Sequence, residues 1–68
     1  LPRASAAQLQ QAMAGLRPRQ RMALGMWAYV DADVADIARA LEIEVNAAHQ
    51  LLYRAKLALR AALSGVSP

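Results

Sequence analysis

The sequence predicts an all-α fold, a small four-helix domain that contains a helix-turn-helix. Alanine, leucine, arginine and glutamine dominate the chain, and all four are strong helix formers. Strand formers are sparse, with two tyrosines and neither phenylalanine nor threonine. Apolar residues recur at spacings of three and four within segments separated by glycine, proline or acidic residues. The 68 residues are enough for one such domain, residues 1–68.

The first helix is predicted over residues 5–14. Ser5 can accept a hydrogen bond from a free N–H of the first turn, and Gly15 is a typical helix end. Its apolar stripe consists of Leu9, Met13 and Leu16. Because Pro2 disfavours helix before it, residues 1–4 are expected to be frayed.

A second helix is predicted over residues 18–30, with Pro18 in the first turn, where its missing N–H costs nothing. The segment from Met22 to Val30 is apolar on every side, which is typical of a buried helix or an interface. We expect Trp27 or Tyr29 to pack under the helix-turn-helix. The other should lie on a partner-facing surface, since aromatic and methionine side chains are enriched there.

The helix-turn-helix is predicted over residues 33–63. Its first helix, 33–41, should begin at Asp33 as the cap, with the Asp36 carboxylate reaching back to the N–H of Asp33. The apolar stripe of this helix is Ile37, Ala38 and Leu41. The turn covers residues 42–44, with Ile43 inserted into the core.

The last helix is predicted over residues 45–63, and the tail from Leu63 to Pro68 is expected to be loose. Five of its residues share one face at spacings of four and three: Ala48, Leu52, Ala55, Leu59 and Ala62. The predicted core of the domain is Leu9, Leu24, Ile37, Leu41, Ile43, Leu52 and Leu59.

The net charge is +3, and its layout is uneven. All five acidic residues lie within 31–44, where Arg39 is the single basic residue, and both flanking segments carry only basic charges. A basic balance favours nucleic acid or another acidic partner. The alternative is that arginine only keeps alanine-rich helices soluble.

Several classes of function have no support in the composition. There is no cysteine and one histidine, so the chain offers no disulfide framework, no set of metal ligands and no sign of a cofactor. No nucleophile accompanies His49, and the carboxylates lie at caps and turns, so we expect no enzyme. Neither a membrane-spanning run nor a signal sequence is visible, so we expect a cytoplasmic protein.

A short helix, a three-residue turn and a longer helix form the unit whose second helix can enter the DNA major groove. Two antiparallel helices in a bundle that binds no DNA would show the same spacing. The spacing therefore leaves both interpretations open.

Three pieces of the chain add a resemblance: LRPRQR at 16–21, DVADIARALEI at 33–43 and YRAKLALRAAL at 53–63. In this order and spacing they resemble region 4 of bacterial sigma factors, especially the extracytoplasmic-function group. Such chains open on Leu-Pro-Pro-Arg-Gln-Arg, continue with an Ala-Glu-Ile-Ala helix and end in alternating Arg, Ala and Leu. LuxR-type regulators are the nearest alternative family, but they rarely end in this way.

The chain departs from the sigma pattern just after the turn. Where that pattern usually reads Gly, Thr, Val, Lys, Ser, Arg, Leu, residues 46–52 read NAAHQLL. The usual turn glycine is Glu42, the usual lysine is His49 and the usual arginine is Leu51. The scaffold therefore matches the family better than the residues that face the groove.

The resemblance implies two sets of site residues. The DNA-binding candidates are Arg19, Arg21, Asn46, His49, Gln50, Tyr53, Arg54 and Lys56. Among these, Gln50 could bond adenine, while Arg54 and Lys56 would contact phosphates. The protein-binding candidates are Met26, Trp27, Leu51 and Leu57.

The expected partners are promoter DNA at the −35 element, the flap of the RNA polymerase β subunit, and an anti-sigma factor. The alternative is a degenerate sigma-like domain that binds protein without reading DNA. The unusual apolar content of the last helix favours it, and the same apolar residues could also dimerise the domain.

Overall fold

A computed structural model describes residues 5–64, which form four α-helices and no strand. The helices are α1 (Ala6–Ala14), α2 (Pro18–Tyr29), α3 (Val34–Leu41) and α4 (Val45–Leu63). The predicted fold class is therefore confirmed, and each predicted helix boundary lies within one residue of the observed one. The predictions for residues 1–4 and 65–68 lie outside the described residues. None of the four helices is long and apolar enough to cross a membrane.

Local capping explains where two of the helices begin. The Ser5 hydroxyl accepts from the N–H of Gln8 at 3.1 Å, and the Gln8 side chain accepts from the N–H of Ser5 at 2.8 Å. At α3 the Asp33 carboxylate accepts from the N–H of Asp36 at 2.9 Å. The expected reciprocal bond from Asp36 is wrong, because its carboxylate pairs with Arg39 one turn further along.

The turn between α3 and α4 is closed by two backbone hydrogen bonds. The N–H of Glu42 donates to the carbonyl of Arg39 at 3.2 Å, and the N–H of Ile43 donates to that of Ala38 at 3.0 Å. Glu42 between them is left-handed, with φ 57° and ψ 48°. This is the Schellman motif, in which glycine is the usual left-handed residue. The turn adopts it with a glutamate instead.

The core lies where α4 crosses α2 and α3, with α1 against the far end of α4. Four predicted core residues are buried: Leu24, Ile37, Leu41 and Leu52. Three others are only half-buried, namely Leu9, Ile43 and Leu59, so the prediction for them is too strong. Ile43 and Leu59 still pack against the margin of the core, and partial burial is common in so small a domain. Ala62, the last of the five residues predicted to share one face of α4, is exposed.

The aromatic residues of α2 correct another prediction, since neither of them is under the helix-turn-helix. Trp27 is 44% exposed and Tyr29 is 66% exposed. The buried residues of α2 are Ala23 and Leu24, and Ala48 of α4 is fully buried as well. Alanines at helix contacts let the backbones approach closely and leave no room for a ring. The aromatic side chains therefore remain at the surface.

Candidate nucleic-acid interface

The inward face of α4 determines which of its side chains reach solvent. Ala48, Leu52 and Ala55 are buried at spacings of four and three. The opposite side of α4 consequently faces outward, and the described structure leaves all six DNA candidates of this helix exposed: Asn46, His49, Gln50, Tyr53, Arg54 and Lys56. The first half of α4 thus offers amide, imidazole, phenol and guanidinium groups on one solvent-facing surface.

A cleft of about 510 Å³ borders one edge of this surface. Its lining from α4 includes Gln50, Leu51 and Arg54, and its lining from the start of α2 includes Arg17 and Arg19. Among residues 5–64, no acidic residue lines it. A basic edge beside a helix that exposes amide and imidazole groups is suited to contact with a phosphate backbone.

The opposite edge of α4 has a different character. A cleft of about 540 Å³ is lined there by Trp27, Asp31, Asp33, His49 and Lys56, among others. The Lys56 ammonium lies over the Trp27 ring, 3.9 Å from its centroid. The two carboxylates come from the loop before α3 and oppose the positive charge of Lys56. This edge is therefore less favourable for phosphate than the arginine-lined one.

Two other DNA candidates, both in α2, are engaged within the domain. The guanidinium of Arg19 donates to the carbonyl of Leu41 at 3.3 Å. That of Arg21 donates to the carbonyl of Ala14 at 3.4 Å. Of these two, only Arg19 also lines the cleft beside Gln50 and Arg54. The structure therefore places Arg19 next to the α4 candidates and Arg21 at the end of α1.

The protein-binding candidates do not form one patch. Leu57 is 46% exposed and shares a shallow surface with Tyr53, Lys56 and Arg60. Because Tyr53 and Lys56 also line the cleft of Trp27, these residues connect Trp27 to Leu57. Met26 and Leu51, in contrast, are half-buried and pack against the core. Leu51 also lines the other cleft, on the arginine side of α4.

The predicted site residues leave out three charged residues that line these clefts. Arg17 borders the basic cleft, and Asp31 and Asp33 border the opposite one. Arg17 belongs to the same LRPRQR segment as Arg19 and Arg21, and its charge at the start of α2 is visible in the sequence. The place of the two aspartates depends on how the loop before α3 lies against α4, and no pattern in the sequence indicates it.

Four helices with a Schellman turn between α3 and an outward-facing α4 define a helix-turn-helix domain. In a comparison with protein families, the family model for region 4 of sigma-70 factors matches residues 6–59. The chain belongs to this family. Comparisons with curated proteins and with solved structures gave no match.

Family membership gives the domain a role in transcription initiation. Sigma-70 region 4 is a non-enzymatic DNA-binding domain, and promoter DNA and RNA polymerase are the partners that the family implies. The match spans α1, α2 and α3 in full and α4 as far as residue 59.

Proposed function

We propose that the domain is region 4 of a sigma factor of the extracytoplasmic-function group, working in the bacterial cytoplasm. In this proposal it binds the −35 element of promoters and the β-subunit flap of RNA polymerase, and an anti-sigma factor controls it. The observation that carries the DNA part is the outward face of α4, where base-reading side chains lie beside a cleft lined by arginines.

The proposal divides the α4 residues by role. Asn46, His49, Gln50 and Tyr53 face base edges, because they belong to the first half of the recognition helix. Arg54 contacts a phosphate, since its guanidinium has no hydrogen-bond partner within residues 5–64. The positive charge of Arg19 and Arg21 adds to the attraction for the duplex.

Lys56 contacts phosphate in this proposal once it leaves the Trp27 ring. A cation–π contact at an exposed site contributes about 0.5–1 kcal/mol. A contact this weak does not prevent Lys56 from moving to a phosphate. Lys56 should therefore contribute less to affinity than Arg54.

The test is titration of the domain with a pool of randomised duplexes at several salt concentrations, followed by selection and sequencing of the bound fraction. Arg54→Ala should weaken binding to all sequences alike and reduce the salt slope by about 0.9. His49→Ala and Gln50→Ala should change which sequences are selected, at about 1–3 kcal/mol per lost base contact. A folded sample that binds no duplex at low salt would rule the DNA part out.

A second candidate function is supported by the exposed apolar side chains. Large hydrophobic residues are exposed on α2 and α4, including Met22, Trp27, Tyr53 and Leu57. Aromatic and methionine side chains are enriched at the cores of protein interfaces. We propose that Met26, Trp27, Leu51 and Leu57 contribute to protein contacts, with the exposed pair Trp27 and Leu57 making most of them. If DNA binding is absent, these contacts are the function of the domain.

A further inference from the structure

Two arginines of α2 are used in the same way at the ends of two different helices. Arg19 donates to the carbonyl of Leu41, the last residue of α3, at 3.3 Å. Arg21 donates to the carbonyl of Ala14, the last residue of α1, at 3.4 Å. The last carbonyls of a helix have no partner inside it, and they carry the negative end of the helix dipole. A guanidinium supplies both a hydrogen-bond donor for such a carbonyl and a positive charge for the dipole.

The end of α3 shows why this donor matters. Of the last four carbonyls, those of Ala38 and Arg39 accept the two backbone bonds of the Schellman turn. The carbonyl of Leu41 receives no backbone bond there and accepts from Arg19 instead. Arg19 is 22 residues away in sequence, so the bond ties α2 directly to the turn that sets the direction of α4.

The end of α1 repeats the arrangement. Gly15 donates its N–H to the carbonyls of Gln11 and Ala12, and Leu16 donates to that of Met13. The remaining carbonyl, that of Ala14, accepts from Arg21. At α1 the backbone satisfies the three earlier carbonyls, and at α3 it satisfies two of them. In both helices an arginine of α2 takes the final carbonyl.

We infer that Arg19 is a positioning residue of the helix-turn-helix and is not one of its phosphate contacts. Its guanidinium fastens the end of α3 to α2, and this fixes the turn from which the recognition helix starts. Arg21 does the same for α1. The inference rests on the proposed function where it concerns DNA, because it reassigns one of the expected DNA-binding residues.

The neighbouring arginines provide the contrast. Arg17 and Arg54 line the same cleft as Arg19, but their guanidiniums have no hydrogen-bond partner within residues 5–64. These two are available for phosphates without breaking a contact inside the domain. The bond from Arg19 to the carbonyl of Leu41 instead holds its side chain toward the end of α3, so reaching a phosphate would require it to keep this orientation or give up the bond.

The first experiment needs no DNA. Arg19→Gln and the matched variant Arg17→Gln each remove one positive charge from the start of α2, and urea denaturation measures both. Arg19→Gln should raise the unfolding equilibrium constant about 3- to 10-fold, the range for one lost hydrogen bond. Arg17→Gln should change it by less than about 2-fold, as is usual for surface substitutions. Equal stability of the two variants would overturn the inference.

Amide hydrogen exchange locates the effect. In Arg19→Gln the N–H groups of Glu42 and Ile43 should exchange faster, because both belong to the turn that Arg19 holds. The N–H of Gln8, which Ser5 caps at the other end of the domain, should keep its wild-type protection. Unchanged exchange at the turn would likewise overturn the positioning role.

The second experiment is the salt dependence of duplex binding. Arg19→Gln should lower the salt slope by clearly less than Arg54→Gln, because Arg19 adds only its charge near the duplex, whereas the lost phosphate contact of Arg54 should lower the slope by about 0.9. A slope lowered by about 0.9 in Arg19→Gln would show a phosphate contact and overturn the inference. If the wild-type domain binds no duplex, the proposed function fails, and the stability and exchange results still decide the role of Arg19.

Discussion

Replacing Glu42 by glycine should stabilise the domain, and the left-handed backbone at this position gives the reason. Glu42 follows the last residue of α3 with φ 57° and ψ 48°. An L-residue loses about 1–2 kcal/mol in the left-handed region because of its Cβ. Glycine avoids that cost but loses about 0.5–1 kcal/mol more backbone entropy on folding. The difference leaves a net gain of about 0.5–1 kcal/mol for glycine over alanine at this site.

The charge of Glu42 makes a second contribution. Its carboxylate lies at the C-terminal end of α3, where the helix dipole is negative, and a like charge there costs about 0.3–1 kcal/mol. Glu42→Ala removes the carboxylate and keeps the left-handed Cβ, so it measures the charge effect alone. The comparison of Glu42→Gly with Glu42→Ala then isolates the backbone effect.

Thermal and urea denaturation followed by circular dichroism at 222 nm would measure both effects. For a domain of this size about 1 kcal/mol corresponds to a shift in Tm of roughly 4–8 °C. We expect the order of stability Glu42→Gly, then Glu42→Ala, then the natural chain. Glu42→Ala as stable as Glu42→Gly would refute the reasoning, since it would mean that the left-handed backbone carries no cost here.

Two further predictions concern the core and the surface. Ile37→Ala should lower the free energy of unfolding by about 2–5 kcal/mol, because Ile37 is fully buried. Leu59→Ala, at the half-buried margin of the core, should lower it by clearly less. Equal losses in the two variants, measured by urea denaturation, would mean that the core is misplaced. Leu57→Glu should keep the helical content, since glutamate is a good helix former, and weaken binding to the polymerase β flap in a pull-down titration. Unfolding by Leu57→Glu would assign Leu57 to the core and remove the proposed contact surface.

The helices of this protein could be predicted from sequence because their causes are local. Ser5 and Asp33 bond N–H groups three residues ahead, and these bonds fix where α1 and α3 begin. The three- and four-residue spacing of apolar side chains needs no knowledge of the neighbouring helices. The family was equally accessible, since the order and spacing of three short motifs are properties of the chain itself.

The candidate site was predicted less completely. That the α4 residues from Asn46 to Lys56 reach solvent followed from the position of the buried stripe. The sequence did not predict which edge of α4 is basic, because Arg17 comes from the start of α2 and Asp31 from the loop before α3. Charges that are far apart in sequence become neighbours only when the helices are placed against each other.

The sequence by itself determined the four helices, the turn at residues 42–44 and membership of the sigma-70 region 4 family. The tertiary structure alone decided that Trp27 and Tyr29 stay at the surface, that Lys56 lies over Trp27, and that Arg19 bonds the end of α3. The physical reason is the range of the interactions. Caps, turns and helical periodicity act over three to five residues, whereas burial and arginine partners depend on how closely alanine-rich helices approach one another.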